Sequence, residues 1–274
     1  MLLAIVRDAG VPRKMHHSHL RSHGYRAKKK HSKTDLGPTR QKKRVKFCDK
    51  HKDKNALAWK GFCQGCGDFK DFTWYPRELQ PKFQKFRASW TWMTKREEKL
   101  PAFQRPKRWF TPDEWKLTRK MKCFGLTASN GKQLIFEVPY GKGNFGSEKW
   151  AGYLKKRVAP FLRRSFPEKR SFHLLLDGEG LLHAPPAKRA MRENGISTLK
   201  DWPGYSPELN PAEHVWSQAE PKLRELESGY DEFAEWKKKV LAAVRAYPSP
   251  EKLVGSMARR VKDCLDRNGA MIDD

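Results

Sequence analysis

The sequence predicts an α/β domain in which helices cover a mixed β-sheet. Two apolar runs, 121–127 and 134–138, flank Asn130-Gly131, which is the strongest local signal for a β-hairpin. The unalternating run 172–177 (FHLLLD) has the length and composition of a strand buried on both faces. A short helix, a short strand and a long helix are expected after it. This alternation of strand and helix following a hairpin is typical of a mixed sheet flanked by helices.

Helix signals account for most of the remaining segments. Capping residues, glycine stops and apolar periodicity mark where each helix begins and ends. The predicted helices are 147–164 with Ser147 as cap and a kink at Pro160, 187–193 stopped at Gly195, a long helix after Asn210, 231–246, and 250–267 between Ser249 and Gly269, and the short strand is 196–199. A further basic helix is expected at 11–24 and closes at Gly24.

The chain is strongly basic. It carries 58 Lys+Arg against 31 Asp+Glu, a net charge of +27, and its pI is about 10.0. Such an excess predicts a polyanionic partner, above all nucleic acid. Residues 1–60 hold 18 of the basic residues and only 4 acidic ones, so just over half of the excess lies in an N-terminal arm. The arm's predicted DNA-binding residues are Arg13, Lys14, Arg21, Arg26, Lys28, Lys29, Lys30, Lys42, Lys43 and Arg44.

The composition excludes several classes of protein. A mean hydropathy of −0.87 and the lack of an apolar run near the roughly 18 residues of a spanning helix predict no membrane partner. The opening MLLAIV has no preceding basic region and no cleavage site, so we do not expect a signal peptide. Five irregularly spaced cysteines indicate a reducing compartment rather than a disulfide framework. Ten Trp and 15 Phe are too many for a disordered chain.

Carboxylates in three segments are candidate metal ligands. Asp177 ends the buried strand, where open α/β sheets place ligands, although an Asp there also suits the turn DGEG. Glu213 lies in the first turn of the long helix, where it can bind a cation or form a capping box with Asn210. Asp68 and Asp71 share a predicted strand but point to opposite faces, so only one can join the site. Converging carboxylates predict paired divalent cations, which activate water and stabilise a leaving 3′ oxygen.

One long segment matches a known family. LLLDGEGLLHAPPAKRAMRENGISTLKDWPGYSPELNPAEHVW resembles the block between the last two acids of mariner-type DDE transposases, and WPGYSPELNPAEHVW is its most specific part. Asp177 and Glu213 take the positions of those acids with thirty-five residues between them. Compared with the family's usual spacing, one extra residue separates Asp177 from His183. Upstream, RSHGYRAKKK and QKKRVKFCDKH resemble the junction between the family's DNA-binding region and its catalytic domain.

The family's first acid lies in a strand with the pattern D-x-x-x-F. Asp68 with Phe72 fits that pattern, whereas Asp71 is followed by Tyr75 at the corresponding position. The resemblance therefore assigns the catalytic and metal-binding roles to Asp68, Asp177 and Glu213. It also suggests that Asn210 orients Glu213.

The resemblance implies an RNase H-like mixed five-stranded sheet flanked by helices, with a basic N-terminal helical arm and C-terminal helices. It implies two Mg²⁺ (or Mn²⁺) ions per site and metal-dependent cleavage and strand transfer on double-stranded DNA, at terminal inverted repeats and target sites. Pairing two DNA ends requires at least two subunits, so a homodimer on DNA is expected. Two basic clusters, 26–30 and 41–44, are consistent with nuclear import in a eukaryote.

Four domains are expected from the resemblance, in a chain truncated at its N-terminus. They are the remnant of a helix-turn-helix DNA-binding domain (1–25), a basic linker and entry helix (26–55), the RNase H-like catalytic domain (56–228) and C-terminal helices (229–274).

Other functions and sites remain open at this stage. A domesticated or decayed transposase that binds DNA without catalysis fits the reduced helix-turn-helix. A ribosomal-type RNA-binding protein fits the charge but not the acids. The spacing of Cys48, His51, Cys63 and Cys66 is compatible with a zinc site, but a helix over 42–51 favours ordinary packing. The histidines at 16, 17, 19 and 23 are expected to face DNA phosphates or solvent.

Overall fold

The computed structural model describes residues 20–22, 26–29, 36–79, 90–93, 110–140, 143, 145–199, 201–204, 206–225 and 232–272. The chain divides into two compact units, one formed by 1–35 and 75–118 and the other by 36–74 and 119–274. These boundaries differ from the expected ones, because the entry helix and the C-terminal helices belong to the larger unit. Most of the expected helix-turn-helix remnant lies outside the described residues.

The elements follow one another in the order that the sequence predicts for the larger unit. The strands are β1 (Arg26–Lys29), β2 (Gly65–Trp74), β3 (Trp90–Met93), β4 (Arg119–Ala128), β5 (Gln133–Val138), β6 (Phe172–Leu176) and β7 (Ile196–Thr198). The helices are α1 (Pro38–His51), α2 (Ala56–Phe62), α3 (Pro112–Leu117), α4 (Ser147–Tyr153), α5 (Ala159–Ser165), α6 (Gly180–His183), α7 (Pro185–Glu193), α8 (Pro211–Glu225), α9 (Phe233–Arg245) and α10 (Met257–Asp266).

The described part of the smaller unit contains a two-stranded sheet, the short helix α3, a 3₁₀ turn at Arg77–Leu79 and helical residues at 20–22. β1 pairs antiparallel with β3, with Arg26 opposite Met93. The basic cluster at 26–30, expected to be an extended linker, thus contributes a strand over 26–29. Helix α3 begins with a capping box between Thr111 and Glu114, and the ring of Tyr75 stacks on that of Phe110.

A five-stranded sheet forms the centre of the larger unit. Its strand order is β5-β4-β2-β6-β7. β4 is antiparallel to both of its neighbours, β5 and β2, whereas β2, β6 and β7 run parallel. The β4–β5 hairpin is the one predicted around Asn130-Gly131, and Gly131 has the positive φ of 90° that favours glycine in its turn. The predicted mixed five-stranded sheet is therefore confirmed.

The two faces of the sheet are covered by different helices. Cys66 and Phe72 of β2 face a core that also contains residues of α1, α2, α8, α9 and α10. Phe69 of the same strand faces the opposite core, which α4, α5 and α7 cover. Because side chains alternate along a strand, Asp68 and Lys70 lie on the face of Cys66 and Phe72. We call the face of the sheet that turns toward the core of Cys66 and Phe72 the α8 face.

Two helices differ in detail from the prediction. The helix over 147–165 contains a π-helical turn, Leu154–Val158, which ends two residues before Pro160. The wider turn accommodates a residue that has no N–H and crowds the preceding carbonyls. Its N-cap is Gly146 rather than Ser147. The C-terminal helix is α10, preceded by 3₁₀ turns at Pro250–Lys252 and Val254–Ser256.

None of the described helices is long and apolar enough to cross a membrane.

Candidate active site

Two of the predicted site residues lie side by side on neighbouring parallel strands. The last register pair between β2 and β6 is Gly67 with Leu176. The next residue along each strand is Asp68 and Asp177, respectively. Leu175, two residues before Asp177, packs in the core of the α8 face, which is also the face of Asp68. The topology therefore brings the two carboxylates to the same edge of the sheet.

The carboxyl group of Asp68 is buried and held by two donors. Its residue is 3% exposed. The backbone N–H of Phe69 donates to Oδ1 over 2.7 Å, and the side-chain amide of Asn210 donates to Oδ2 over 3.3 Å. The same Asn210 accepts, through Oδ1, a hydrogen bond from the N–H of Ala212 in the first turn of α8. Asn210 thus caps α8 and contacts Asp68 at once.

Glu213 points toward β2 instead of closing a capping box. Its Oε2 accepts a hydrogen bond from Nζ of Lys70 over 3.0 Å. Lys70 is two residues after Asp68, so it lies on the same face of β2. The capping-box alternative for Glu213 is not what the structure shows, because its carboxylate forms an ion pair with Lys70. The site therefore contains Asp68, Asp177, Glu213 and the cation of Lys70.

Asp71 lies on the other face of the sheet. Its Oδ1 is 3.9 Å from Nζ of Lys122, which also donates to Oε1 of Glu179 over 3.0 Å. The ammonium of Lys122 stands 5.1 Å from the ring centre of Phe69, a residue of the opposite core. Strand alternation thus separates Asp71 from Glu213 and leaves Asp68 as the acid of β2 that faces α8.

The site is electrostatically strained by its own acids. Burial raises the pKa of Asp68, and the negative charges of Asp177 and Glu213 raise it further, to about 8. The N–H of Phe69 acts in the opposite direction because it donates to the charged carboxylate. A positive charge brought to these acids would relieve the repulsion.

The chemistry of the donors fits a hard divalent cation, since carboxylate oxygens are the ligands that Mg²⁺ and Mn²⁺ prefer. The carboxylates of the described residues are not, however, arranged as a complete set of metal ligands. Across the part of the chain that the structure describes, no group of three or more His, Cys, Asp or Glu is arranged to hold a metal ion. Lys70 instead neutralises Glu213, and Asn210 holds Asp68.

The raised pKa of Asp68 predicts how the metal-free protein responds to pH. In the unfolded chain this carboxyl titrates near its ordinary pKa of 3.8, whereas in the folded chain it keeps its proton up to about pH 8. Between these values the folded state binds one more proton than the unfolded state, so the free energy of unfolding falls as pH rises. Urea unfolding in EDTA should show that fall, and Asp68→Asn should reduce it. Equal pH slopes for both proteins would contradict the electrostatic environment described for Asp68.

The four residues of the zinc alternative do not form a metal site. Cys48, Cys63 and Cys66 are buried free thiols that pack in the core of the α8 face. Cys48 packs in this core together with Cys264, another buried free thiol. His51 packs between the rings of neighbouring aromatic residues, and burial lowers its pKa to about 4. The histidines at 16, 17, 19 and 23 lie outside the described residues.

The predicted DNA-binding residues have different outcomes. Lys42 and Lys43 are exposed on α1, and Arg21 is also exposed. The backbone at Arg26, Lys28 and Lys29 belongs to β1, and Arg13, Lys14 and Lys30 lie outside the described residues. The prediction that Arg44 contacts DNA is wrong. Arg44 is fully buried because it lies on the inner face of α1, next to Phe47 and Cys48.

Sequence reasoning missed Lys70 and the buried arginines Arg44 and Arg260. Lys70 carries a usable signal, because a residue two positions after Asp68 in a strand must share its face. Arg44 stands in the basic run QKKR, and only the helical phase of α1 distinguishes it from its exposed neighbours. Nothing in the local sequence around Arg260 indicates that it is buried.

The sheet order and the placement of the acids define the class of the larger unit. A mixed five-stranded sheet with Asp68 on its central strand, Asp177 at the end of the adjacent parallel strand and Glu213 on a covering helix is an RNase H-like domain. Residues 105–234 match the DDE superfamily endonuclease family. The predicted resemblance to mariner-type DDE transposases is therefore confirmed: the chain is similar to that group in its acidic motif, in the family match over 105–234 and in fold.

Individual relatives support this relationship. Over 83 residues the chain is 34% identical to the Transposable element Tc1 transposase of Caenorhabditis elegans, and the match covers 26% of each chain. The chain thus matches about a quarter of the length of that curated relative. A structure of the Mos1 transposase catalytic domain and Raltegravir with Mn superposes with a TM-score of 0.56 at 12% identity, covering 88% of this chain and 100% of the other. The Mos1 transposase paired-end complex with left transposon end gives 0.58 at 16% identity, covering 100% and 76%.

Proposed function

We propose that the protein is a transposase that cleaves DNA at transposon ends and joins the freed 3′ end to target DNA, in a reaction that depends on Mg²⁺ or Mn²⁺. The observation that supports it most is the position of Asp68 beside Asp177 on adjacent strands, with Glu213 on the helix that covers the same face. Acids on three separate elements meet in a chain whose net charge is +27. A protein that only binds DNA gains nothing from carboxylates that repel phosphates.

The proposed roles follow from the contacts. Asp68 and Asp177 would hold the cations together with Glu213, and the buried amide of Asn210 fixes the Asp68 carboxyl. Bound Mg²⁺ or Mn²⁺ would supply charge stabilisation at the phosphate and an acidified water. Lys70 keeps Glu213 directed toward β2 through its 3.0 Å ion pair. The chain's own contribution is to hold these carboxyl groups in fixed positions around the proposed cation site.

Two balanced phosphoryl transfers make up the proposed reaction. Water adds to a phosphorus at the transposon end, the bond from phosphorus to the 3′ oxygen breaks, and a free 3′ hydroxyl is left. That hydroxyl then adds to a phosphorus of the target DNA, and the target's own 3′ oxygen leaves. Each step forms one P–O bond and breaks one, so neither requires an energy-supplying co-reactant.

The proposed partners are the terminal repeats of the transposon and target DNA, bound by a homodimer. The name of one structural relative supports this, because it describes a paired-end complex with a transposon end. The exposed Lys42 and Lys43 on α1 and the charge of the whole chain are suited to phosphates. Nuclear localisation is proposed for a eukaryotic host on the two basic clusters alone.

A cleavage assay tests this function directly. The purified protein is incubated with a linear DNA that carries the inverted repeats flanking its own gene, with Mg²⁺, with Mn²⁺, or with EDTA. Cleavage at the repeat ends that requires either cation is the expected result. Ca²⁺ serves as a control for binding without turnover, and an electrophoretic mobility shift measures binding in each condition.

A DNA-binding protein without catalysis is the second candidate. The ion pair between Lys70 and Glu213 favours it, because it occupies an oxygen of one proposed metal ligand. The same assay separates the two functions. Specific binding to the repeats with no cleavage in either cation would support the second candidate and contradict the first.

A further inference from the structure

A buried arginine of α1 contacts the segment that leads to the candidate active site. The guanidinium of Arg44 donates from Nε to the carbonyl of Gly269 over 2.8 Å, and from one terminal nitrogen to the hydroxyl of Ser206 over 2.9 Å. The other terminal nitrogen donates to the carbonyl of Ala270 over 3.1 Å and forms an ion pair with Glu208. Arg44 is 0% exposed, so all of these contacts are shielded from solvent.

Glu208 also contacts a second buried arginine, Arg260. Its backbone carbonyl accepts a hydrogen bond from Arg260 of α10, a residue that also contacts the hydroxyl of Ser256. Glu208 is 6% exposed, and neither carboxylate oxygen has a hydrogen bond of regular geometry. The charge of this buried carboxylate is therefore balanced by the Arg44 guanidinium at short range.

The segment 206–210, which Arg44 and Arg260 contact, ends at the candidate active site. Ser206 precedes a 3₁₀ turn, Pro207–Leu209, that contains Glu208 and is followed directly by Asn210. Asn210 is fully buried, donates to Asp68 over 3.3 Å and caps the helix that carries Glu213. Two acids of the site thus depend on where residues 206–210 lie, and that position depends on Arg44.

Stability alone is a poor reason for such an arrangement. Buried ion pairs often contribute little net stability, because the loss of hydration offsets their attraction, and apolar residues of similar size frequently replace them without loss. A guanidinium, by contrast, directs several donors in fixed directions. Arg44 uses its donors on two separate segments, 206–208 and 269–270, which is an arrangement suited to fixing positions.

We propose that Arg44, through Glu208 and Ser206, is a positioning residue that holds the 206–210 segment so that Asn210 and Glu213 face Asp68. This inference rests on the proposed function for its catalytic consequence, but its structural part stands separately. α1 then carries two kinds of basic residue. Its exposed lysines are suited to DNA, and its buried arginine sets the geometry of the acidic site.

Four variants of the full chain test the inference. Arg44→Met removes the guanidinium and its charge. Arg44→Lys keeps the charge but removes the guanidinium donors, and Arg44→Met/Glu208→Leu replaces the buried ion pair with apolar side chains. Lys46→Met is the matched control, because it removes a positive charge from the exposed side of the same helix. Each is measured by thermal unfolding, by repeat-DNA binding, by Mg²⁺-dependent cleavage and by hydrogen exchange of the 206–216 segment.

We expect Arg44→Met to lower the cleavage rate about 10- to 100-fold, the usual loss when a group that orients a metal ligand is removed. Hydrogen exchange in the 206–216 segment of this variant should accelerate, while the amides of β2 and β4 stay protected. The affinity for repeat DNA should change less than about 2-fold. Arg44→Lys should fall between Arg44→Met and the parent protein. The double variant should recover the melting temperature of the parent but not its cleavage rate.

Two results would overturn the inference: unchanged exchange in 206–216 in Arg44→Met, or a double variant whose cleavage recovers together with its melting temperature. The second outcome would show that Arg44 acts on stability only. If the parent protein cleaves no DNA while Arg44→Met still accelerates exchange in 206–216, the proposed function fails and the positioning by Arg44 is supported.

Discussion

Asp177→Ala and Asp68→Asn are each expected to reduce Mg²⁺-dependent cleavage by more than about 100-fold, beyond the loss that removing a mere supporting group causes. Asp68 of β2 and Asp177, the residue directly after β6, occupy adjacent positions, and each substitution removes one carboxylate ligand from the proposed cation site. Binding to the repeat DNA should persist in both variants, because neither substitution adds a negative charge that opposes the phosphates. Initial rates of strand cleavage, measured beside a mobility-shift titration, give both quantities.

Asp71→Asn is the matched control for Asp68→Asn. It makes the same chemical change three residues further along β2, on the face that packs with Lys122 and Glu179. Its cleavage rate should stay within a few-fold of the parent protein. If Asp71→Asn abolishes cleavage and Asp68→Asn does not, the first acid of the site has been assigned to the wrong face of the strand.

Gly125→Ala is expected to lower the free energy of unfolding by about 1–3 kcal/mol, the usual cost of overpacking a core. Gly125 pairs with Asp68 across β2 and β4. A Cβ at this position would overlap with Cη2 of the Trp216 indole and lie 2.9 Å from its Cζ2, and Trp216 is buried. Trp216 follows Glu213 by three residues on the same side of α8, so displacing the indole also displaces the acid. Both the free energy of unfolding, measured with urea, and the cleavage rate should decline.

Two further variants show whether the Trp216 contact is responsible. Gly152→Ala places the same methyl group on α4, where nothing lies within 4 Å of it, and should be neutral or slightly stabilising. Trp216→Phe in the Gly125→Ala background offers a smaller ring and should recover part of the lost stability, so the two substitutions should be non-additive. Strict additivity would mean that Gly125 and Trp216 do not constrain each other.

Local patterns were sufficient to predict most of the larger unit. The β4–β5 hairpin follows from Asn-Gly between apolar runs, and β6 follows from an unalternating apolar segment of strand length. These features depend on residues close together in the chain, so sequence displays them directly. The π-helical turn before Pro160 did not follow, because proline signals a disturbance without specifying how the backbone absorbs it.

Pairings between distant segments were beyond the sequence patterns. β1 pairs with β3 across about sixty intervening residues, and no local signal selects one partner strand over another. The same holds for the ion pair between Lys70 and Glu213, whose residues are separated by 143 positions. Composition predicts a basic protein, but it does not predict which acidic and basic side chains form ion pairs.

The sequence by itself determined the acidic motif, the order of strands and helices around it and the expectation of a nucleic-acid partner, because each is carried by residue type and short-range spacing. The family resemblance favoured Asp68 over Asp71, but only the tertiary structure decided which face of β2 turns toward α8 and thereby places Asp68 on the side of Glu213. It also decided that Arg44, one basic residue in a basic run, is buried against Glu208. The physical reason is the same in both cases: the environment of a charge is set by the elements packed around it, and those come from distant parts of the chain.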